Sequence, residues 1–216
     1  MLWVIEISKI FEKKTENTNK TEKIYKNVRI ILRLHAKQDK IYCIQENNRG
    51  YIMEKIYETA YAKINLGLDV LGKRSDGYHE VRMVMQSVGL SDAVEIEEGE
   101  GLVVETDHSG LAGGPDNLAW KAAELLARCC GKIPNVHIRL NKKIFLAAGL
   151  AGGSSDAAAV MRGLSRLWQL DLTAPELEKL AAELGSDIPF CITGGTALAE
   201  GRGEILTELP EAPELL

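Results

Sequence analysis

No stretch of this 216-residue chain holds the roughly 20 consecutive apolar residues that span a bilayer, which argues against a helical membrane protein. The first 30 residues place Lys, Glu or Asn inside every short apolar run. They therefore lack the apolar core of a signal peptide, and a cytoplasmic location is the expectation. Positive charge is also in deficit. Lys and Arg number 26 against 31 Asp and Glu, so the net −5 offers no basic field for nucleic acid. Cysteine is sparse: Cys43, Cys129, Cys130 and Cys191 form no C-x-x-C pair, and no His stands beside them at zinc-ligand spacing. Reduced, structural thiols are expected, and no protein-held metal.

Glycine and proline are scarce in one region only. Residues 1–52 contain Gly50 out of 20 glycines and no proline. Charge changes at the same boundary, from a net +5 before residue 53 to −10 after it. The early stretch is rich in Lys, Asn, Ile and Glu and shows no sustained period, although Ile30, Ile31, Leu32 and Leu34 suggest one short element. Residues 1–52 are expected to be a disordered or non-native leader, with Met53 as the true start. A basic partner-binding tail is the other reading. Residues 53–210 then form one domain, and 211–216 begin a linker.

Beyond residue 53 the chain is strongly patterned. Ala60, Ala62, Ile64, Leu66, Leu68 and Val70 alternate with Tyr61, Lys63, Asn65, Gly67 and Asp69. Period two predicts a half-buried strand with Lys63 and Asn65 together on its polar face. Ser75-Asp76-Gly77 predicts a turn, and a second strand runs from His79 to Leu90. Residues 93–97 and 102–106 read as two short strands joined in a hairpin by Gly99-Glu100-Gly101. Asp116 is placed to cap a helix whose stripe is Leu118, Ala122, Leu125 and Leu126, with Gly131 as its stop. Val136, Ile138 and Leu140 alternate as another strand. Ala157, Val160, Met161, Leu164 and Trp168 recur at helical spacing. Thr173-x-x-Glu176 is a capping box for one more helix, ending at Gly185. This order of elements fits an α+β domain better than a regular parallel sheet.

Four segments carry chemistry. Between a predicted strand and a predicted helix lies Ala147-Ala148-Gly149-Leu150-Ala151-Gly152-Gly153-Ser154-Ser155-Asp156. Small residues let backbone amides approach a ligand, and the helix behind offers free N–H groups and a positive dipole end. Ser154 and Ser155 can cap that helix or donate to phosphate oxygens, so the segment reads as a phosphate cradle. It is neither a Walker A loop nor a G-x-G-x-x-G fingerprint. Lys63, on the strand's polar face, can stabilise a transferring phosphoryl group or lower the pKa of a substrate hydroxyl. Asp187, in Gly185-Ser186-Asp187-Ile188-Pro189-Phe190, can serve as base or orient a hydroxyl. Tyr78 and His79 on a turn can stack on and hydrogen-bond a planar base. Taken singly, each of the last three has a plainer reading: a surface lysine, a capping aspartate and an exposed turn.

Together, in this order and spacing, A-Y-A-K-I-N-L-G-L-D-V, R-S-D-G-Y-H-E-V, A-A-G-L-A-G-G-S-S-D-A-A, G-S-D-I-P-F and G-G-T-A-L-A-E-G-R-G-E resemble the GHMP kinases. The D-G-Y-H and A-K-I-N segments resemble the branch that acts on a cytidine diphosphate-linked methylerythritol. The resemblance covers residues 54 to about 210. It implies the GHMP amino-terminal α+β domain, similar to domain 2 of ribosomal protein S5, and transfer of the ATP γ-phosphoryl group to a hydroxyl of that small-molecule substrate. By motif position it implies Lys63 and Asp187 as the catalytic pair and Phe145, Leu146 and the loop from Ala147 to Ser155 around the ATP phosphates. It places Asn117 near adenine, Tyr78 and His79 on cytosine, and Asn65 and Lys142 on the rest of the substrate, with Mg2+ accompanying ATP. The sequence departs from the pattern at Phe145, where a proline is usual, in the leader, and in stopping at Leu216 before a carboxy-terminal domain. An exposed apolar surface facing that domain is expected, and with it poor folding or little activity of the 216-residue chain alone.

Overall fold

The computed structural model describes residues 4–6, 30–34, 41–46 and 52–210, with side chains from residue 55. It divides into two units, Met1–Tyr57 and Glu58–Leu216. In the first, β1 (Val4–Glu6), β2 (Ile30–Leu34), β3 (Ile41–Glu46) and the opening residues of β4 (Ile52–Lys73) pair antiparallel in sequence order. The expected disordered or non-native leader falls mostly outside the described residues; its three described segments are strands.

In the second unit the rest of β4 neighbours a long β5 (His79–Glu98). The connection is the expected turn, with Gly77 at φ 88° and the Arg74 N–H donating to the Tyr78 carbonyl at 2.8 Å. β5 is shared between two further neighbours. Its first half, Val81–Gln86, pairs antiparallel with β8 (Thr196–Gly201), which in turn pairs with β9 (Ile205–Glu208). Its second half, Ala93–Glu98, pairs antiparallel with β7 (Val136–Asn141).

Two sequence expectations fail here. No break separates Leu90 from Ala93, because Asp92 between them is drawn inward. Its Oδ1 accepts the Ile144 N–H at 2.8 Å and also the Lys143 N–H. The Gly99–Gly101 turn is not a hairpin either. β6 (Leu102–Thr106) lies parallel to β7, and β7 sits between β6 and β5. Asn135 decides this. Its carbonyl takes the Gly99 N–H at 3.0 Å and its side chain the Gly101 N–H at 3.2 Å, so the turn's donors face β7 and not each other.

Helices α1 (Leu118–Cys129), α2 (Gly152–Leu167), α3 (Ala174–Ala181) and α4 (Ile188–Thr193) complete the unit. The helix α1 is capped by Asn117, not Asp116: Asn117 Oδ1 accepts the Ala119 N–H at 2.9 Å. Ala119, Ala122, Ala123 and Leu126 of α1 are fully buried, as are Ala157, Ala158, Val160, Met161 and Leu164 of α2. So much alanine lets α1 and α2 pack closely against each other while α2 also meets β5. Beneath them Val94, Ile96, Val136, Ile138 and Leu140 supply the core face of the sheet. A smaller cluster of Met83, Met85, Phe190, Ala197 and Ala199 packs α4 on β5 and β8. The α3 helix ends at Ala181, four residues before the expected Gly185 stop.

The alternation along β4 holds only part-way. Ala60 and Ala62 are buried, but Leu66, Leu68 and Val70 on the same face are 47%, 53% and 61% exposed.

Candidate active site

The loop between β7 and α2 is the most unusual backbone in the unit. Ala147, Gly149 and Ala151 have φ of 55°, 75° and 56°, while Ala148 and Leu150 do not share that sign. Such alternation turns successive N–H groups toward one side, the geometry of an anion-binding nest. Left-handed alanines cost roughly 1–2 kcal/mol each, so the fold holds this loop against strain. Phe145 through Gly149 are exposed. Ala151 is the N-cap of α2 and makes no side-chain cap bond. The amides of Gly152, Gly153 and Ser154 therefore precede the first intrahelical bond, from the Ser155 N–H to the Ala151 carbonyl. Gly152 admits no side chain, since a Cβ there would lie 2.9 Å from Ile144 Cγ2.

The expected roles of the two serines separate. Ser154 is half-buried at the third helical position. Ser155 is buried, and its hydroxyl donates to the Tyr61 carbonyl at 2.5 Å. It neither caps the helix nor faces the cradle; it fastens α2 to β4. A second fastening comes two residues on, where the Lys63 N–H donates to the Leu150 carbonyl at 3.1 Å. The loop is thus tied to the strand that carries Lys63.

The Lys63 side chain is buried despite its polar-face position, and its ammonium lies 3.5 Å from Asp187 Oδ2 and donates to Asn65 Oδ1 at 3.2 Å. Asp187 occupies the N-cap position of α4 yet makes no cap bond. Its carboxylate, about one-third exposed, faces the Lys63 ammonium and solvent. Asp187 thus joins Lys63 and Asn65, which the alternation had already put on one face, and the Lys63 backbone is bonded to the loop. Beside them, Cys191 is a free thiol that burial pushes up to about 12, so it stays protonated and unreactive.

Tyr78 and His79 are exposed on the β4–β5 turn. The Tyr78 N–H is fixed by Asp76 Oδ1 at 3.1 Å, and the guanidinium of Arg202 lies 5.0 Å from the ring centre. Two other expected contacts are committed elsewhere. Asn117, besides capping α1, donates its side-chain amide to the Ala112 carbonyl at 2.8 Å, so its polar atoms serve the fold.

The Lys142 side chain, expected on the substrate, is 1% exposed, and its ammonium is held by Asp92 at 2.5 Å and by Asp156, both buried. This triad joins β5, the start of the loop and the first turns of α2. Asp156 Oδ1 has no partner. Burial raises the Asp156 carboxyl to about 7, opposed by the Lys142 charge and reinforced by Asp92. The sequence signal that was there to read is an acid inside a run of Ala and Ser on the buried face of α2.

Residues 117–195 match the family model described as GHMP kinases N terminal domain. The fold of the second unit is that of the GHMP kinase amino-terminal domain. Within that class its sequence is similar to 4-diphosphocytidyl-2-C-methyl-D-erythritol kinases. The kinase of that name from Caldanaerobacter subterraneus subsp. tengcongensis is 50% identical over 159 residues, covering 74% of this chain and 55% of the relative. The one from Bacillus pumilus is 52% identical over 161 residues, covering 74% and 56%. A crystal structure of 4-(cytidine 5'-diphospho)-2C-methyl-D-erythritol kinase superposes with a TM-score of 0.61 at 38% identity, over 71% of this chain and 55% of that one. A homoserine kinase from Cytophaga hutchinsonii, 19% identical with a TM-score of 0.58 over 72% of this chain and 52% of that one, shares the fold alone. The chain spans about half the length of the curated relatives it matches.

Proposed function

We propose that this chain supplies the ATP-binding half of a kinase that phosphorylates a hydroxyl of 4-diphosphocytidyl-2-C-methyl-D-erythritol. The observation that carries the reading is the 3.5 Å pairing of Lys63 on β4 with Asp187 at the start of α4, the Lys63 amide being bonded to the Gly-rich loop. A phosphoryl acceptor needs a base and a cation within reach of the γ-phosphate, and this arrangement offers both.

ATP fits the chain's own residues. The alternating φ of the loop and the leading amides of α2 would hold the phosphates. Magnesium would enter as the nucleotide's counter-ion, neutralising the charge that develops on its phosphates. Among the described residues no group of three or more His, Cys, Asp or Glu side chains is arranged to hold a metal. Asp187 would orient the acceptor hydroxyl and take its proton, and Lys63 would hold Asp187 in place and stabilise negative charge as the oxygen attacks. Asn65 would keep the Lys63 ammonium turned toward the cleft. Tyr78, with Arg202 against its ring, would give the cytosine a stacking shelf, and His79 a hydrogen-bonding neighbour. Leu66, Leu68 and Val70, exposed at the far end of β4, form the apolar face against which the remainder of such a kinase would pack.

The test is transfer of label from γ-labelled ATP to the cytidyl substrate, with homoserine and mevalonate as competing acceptors. Label in the cytidyl substrate alone supports the reading. Label in another acceptor would assign the chain to a different GHMP kinase.

A further inference from the structure

The Lys63–Asp187 contact bridges β4 to α4, yet α4 has six residues, too few to hold a direction unaided. It is held by burial of Ile188, Phe190 and Ile192 and, at its carboxyl end, by Arg162 of α2. Its Nη1 donates to the Cys191 carbonyl at 2.6 Å and the Ile192 carbonyl at 3.3 Å, at the end of α4 opposite Asp187. Its Nη2 donates to the Thr59 carbonyl at 2.9 Å, and its Nε to Glu58 at 3.2 Å, both on β4. Last-turn carbonyls have no intrahelical partner, and a cation there also favours the helix dipole. The planar fork suits three carbonyls and a carboxylate at once, which a lysine cannot reproduce. Glu58 is further paired with Arg166.

We infer that Arg162 is a positioning residue for phosphoryl transfer: by clamping the carboxyl end of α4 to β4, it sets the separation of Lys63 and Asp187. The inference rests on the proposed kinase reading for its catalytic meaning, and on geometry alone for the clamp. These Arg162 bonds go to Glu58, Thr59, Cys191 and Ile192, and to neither Lys63, Asp187 nor the Gly-rich loop. The phosphate loop is fastened to β4 by other bonds, at Leu150 and Ser155, so losing the clamp frees α4 while leaving the cradle in place.

The experiment compares Arg162→Lys with Arg139→Gln in the full protein. Arg139 also serves several carboxylates, Glu95 and Glu97 at 2.9 Å and Glu105 at 3.4 Å, but on the β5–β7–β6 sheet away from α4, so it controls for general destabilisation. Arg162→Lys is expected to lower kcat roughly a hundredfold, the scale of an ångström's misplacement. Its Kd for ATP is expected to stay within about threefold. Amide hydrogen exchange across residues 188–193 is expected to quicken roughly tenfold over the Arg139→Gln protein. Exchange no faster than in the control overturns the clamp. Faster exchange with kcat retained overturns the positioning role. If the unsubstituted protein transfers no phosphoryl group, the kinase reading fails, and the exchange result alone decides whether the clamp exists.

Discussion

Replacing Asp156 by Asn is expected to stabilise the folded chain at pH 8 and to leave it nearly unchanged at pH 4. Asp156 is 1% exposed, shares the Lys142 ammonium with Asp92 and has an orphaned oxygen. With both carboxylates ionised, the buried triad carries one uncompensated negative charge. Its carboxyl titrates at about 7 when folded against an ordinary 3.8, mainly because it is buried. The folded chain therefore keeps a proton that the unfolded chain has lost between about pH 4 and 7. The stability this contributes is complete below the unfolded value and is lost as pH rises through the folded one. The difference amounts to about 4 kcal/mol. Asparagine keeps the shape and removes the charge, so it avoids this loss; a weaker bond to Lys142 offsets part of the gain. A rise in Tm of roughly 5–10 °C at pH 8 is expected, vanishing toward pH 4. Thermal and urea unfolding of both proteins from pH 4 to pH 8 measure it. A destabilised Asp156→Asn protein at pH 8, or one with the pH slope of the parent, would refute the reasoning and mean that Asp156 is the ionised partner Lys142 requires.

Lys142→Met should be far more damaging, by about 3–5 kcal/mol at pH 8, because it strands two buried carboxylates; denaturant midpoints measure it, and partial recovery at lower pH is expected. Ser155→Ala should cost about 1 kcal/mol and weaken ATP binding by calorimetry, since it unfastens α2 from β4. Ala151→Gly should be neutral or stabilising by up to about 1 kcal/mol in thermal unfolding, relieving a left-handed alanine at the α2 N-cap.

Much of the second unit was legible because its signals are local. The β4 strand and the burial of Ala60 and Ala62, the Gly77 turn, the α1 stripe with its Gly131 stop and the Ala-rich face of α2 all follow from side-chain period and backbone chemistry within a few residues. Partner choice was not local. Whether Gly99–Gly101 closes a hairpin depends on Asn135, more than 30 residues away, and the continuity of β5 depends on amides at Lys143 and Ile144 that draw Asp92 inward. The site divides in the same way. The candidate cradle is visible in its residue types, and Lys63 and Asp187 only in the motifs around them, whereas Ser155 and Lys142 looked available for ligand and bond instead to Tyr61, Asp92 and Asp156. Nothing in either residue's neighbours in sequence could reveal Tyr61 or Asp92 as the partner. Arg162 was missed for the same reason: its bonds reach residues 29 to 104 positions away.

Phosphoryl transfer from γ-labelled ATP to 4-diphosphocytidyl-2-C-methyl-D-erythritol, run with the parent protein and with Lys63→Met and Asp187→Asn, tests the central claim most directly. The account predicts labelled substrate with the parent and a loss of at least about a hundredfold in either variant, both still binding ATP. Transfer that survives both substitutions, or label appearing on a different acceptor, would contradict it.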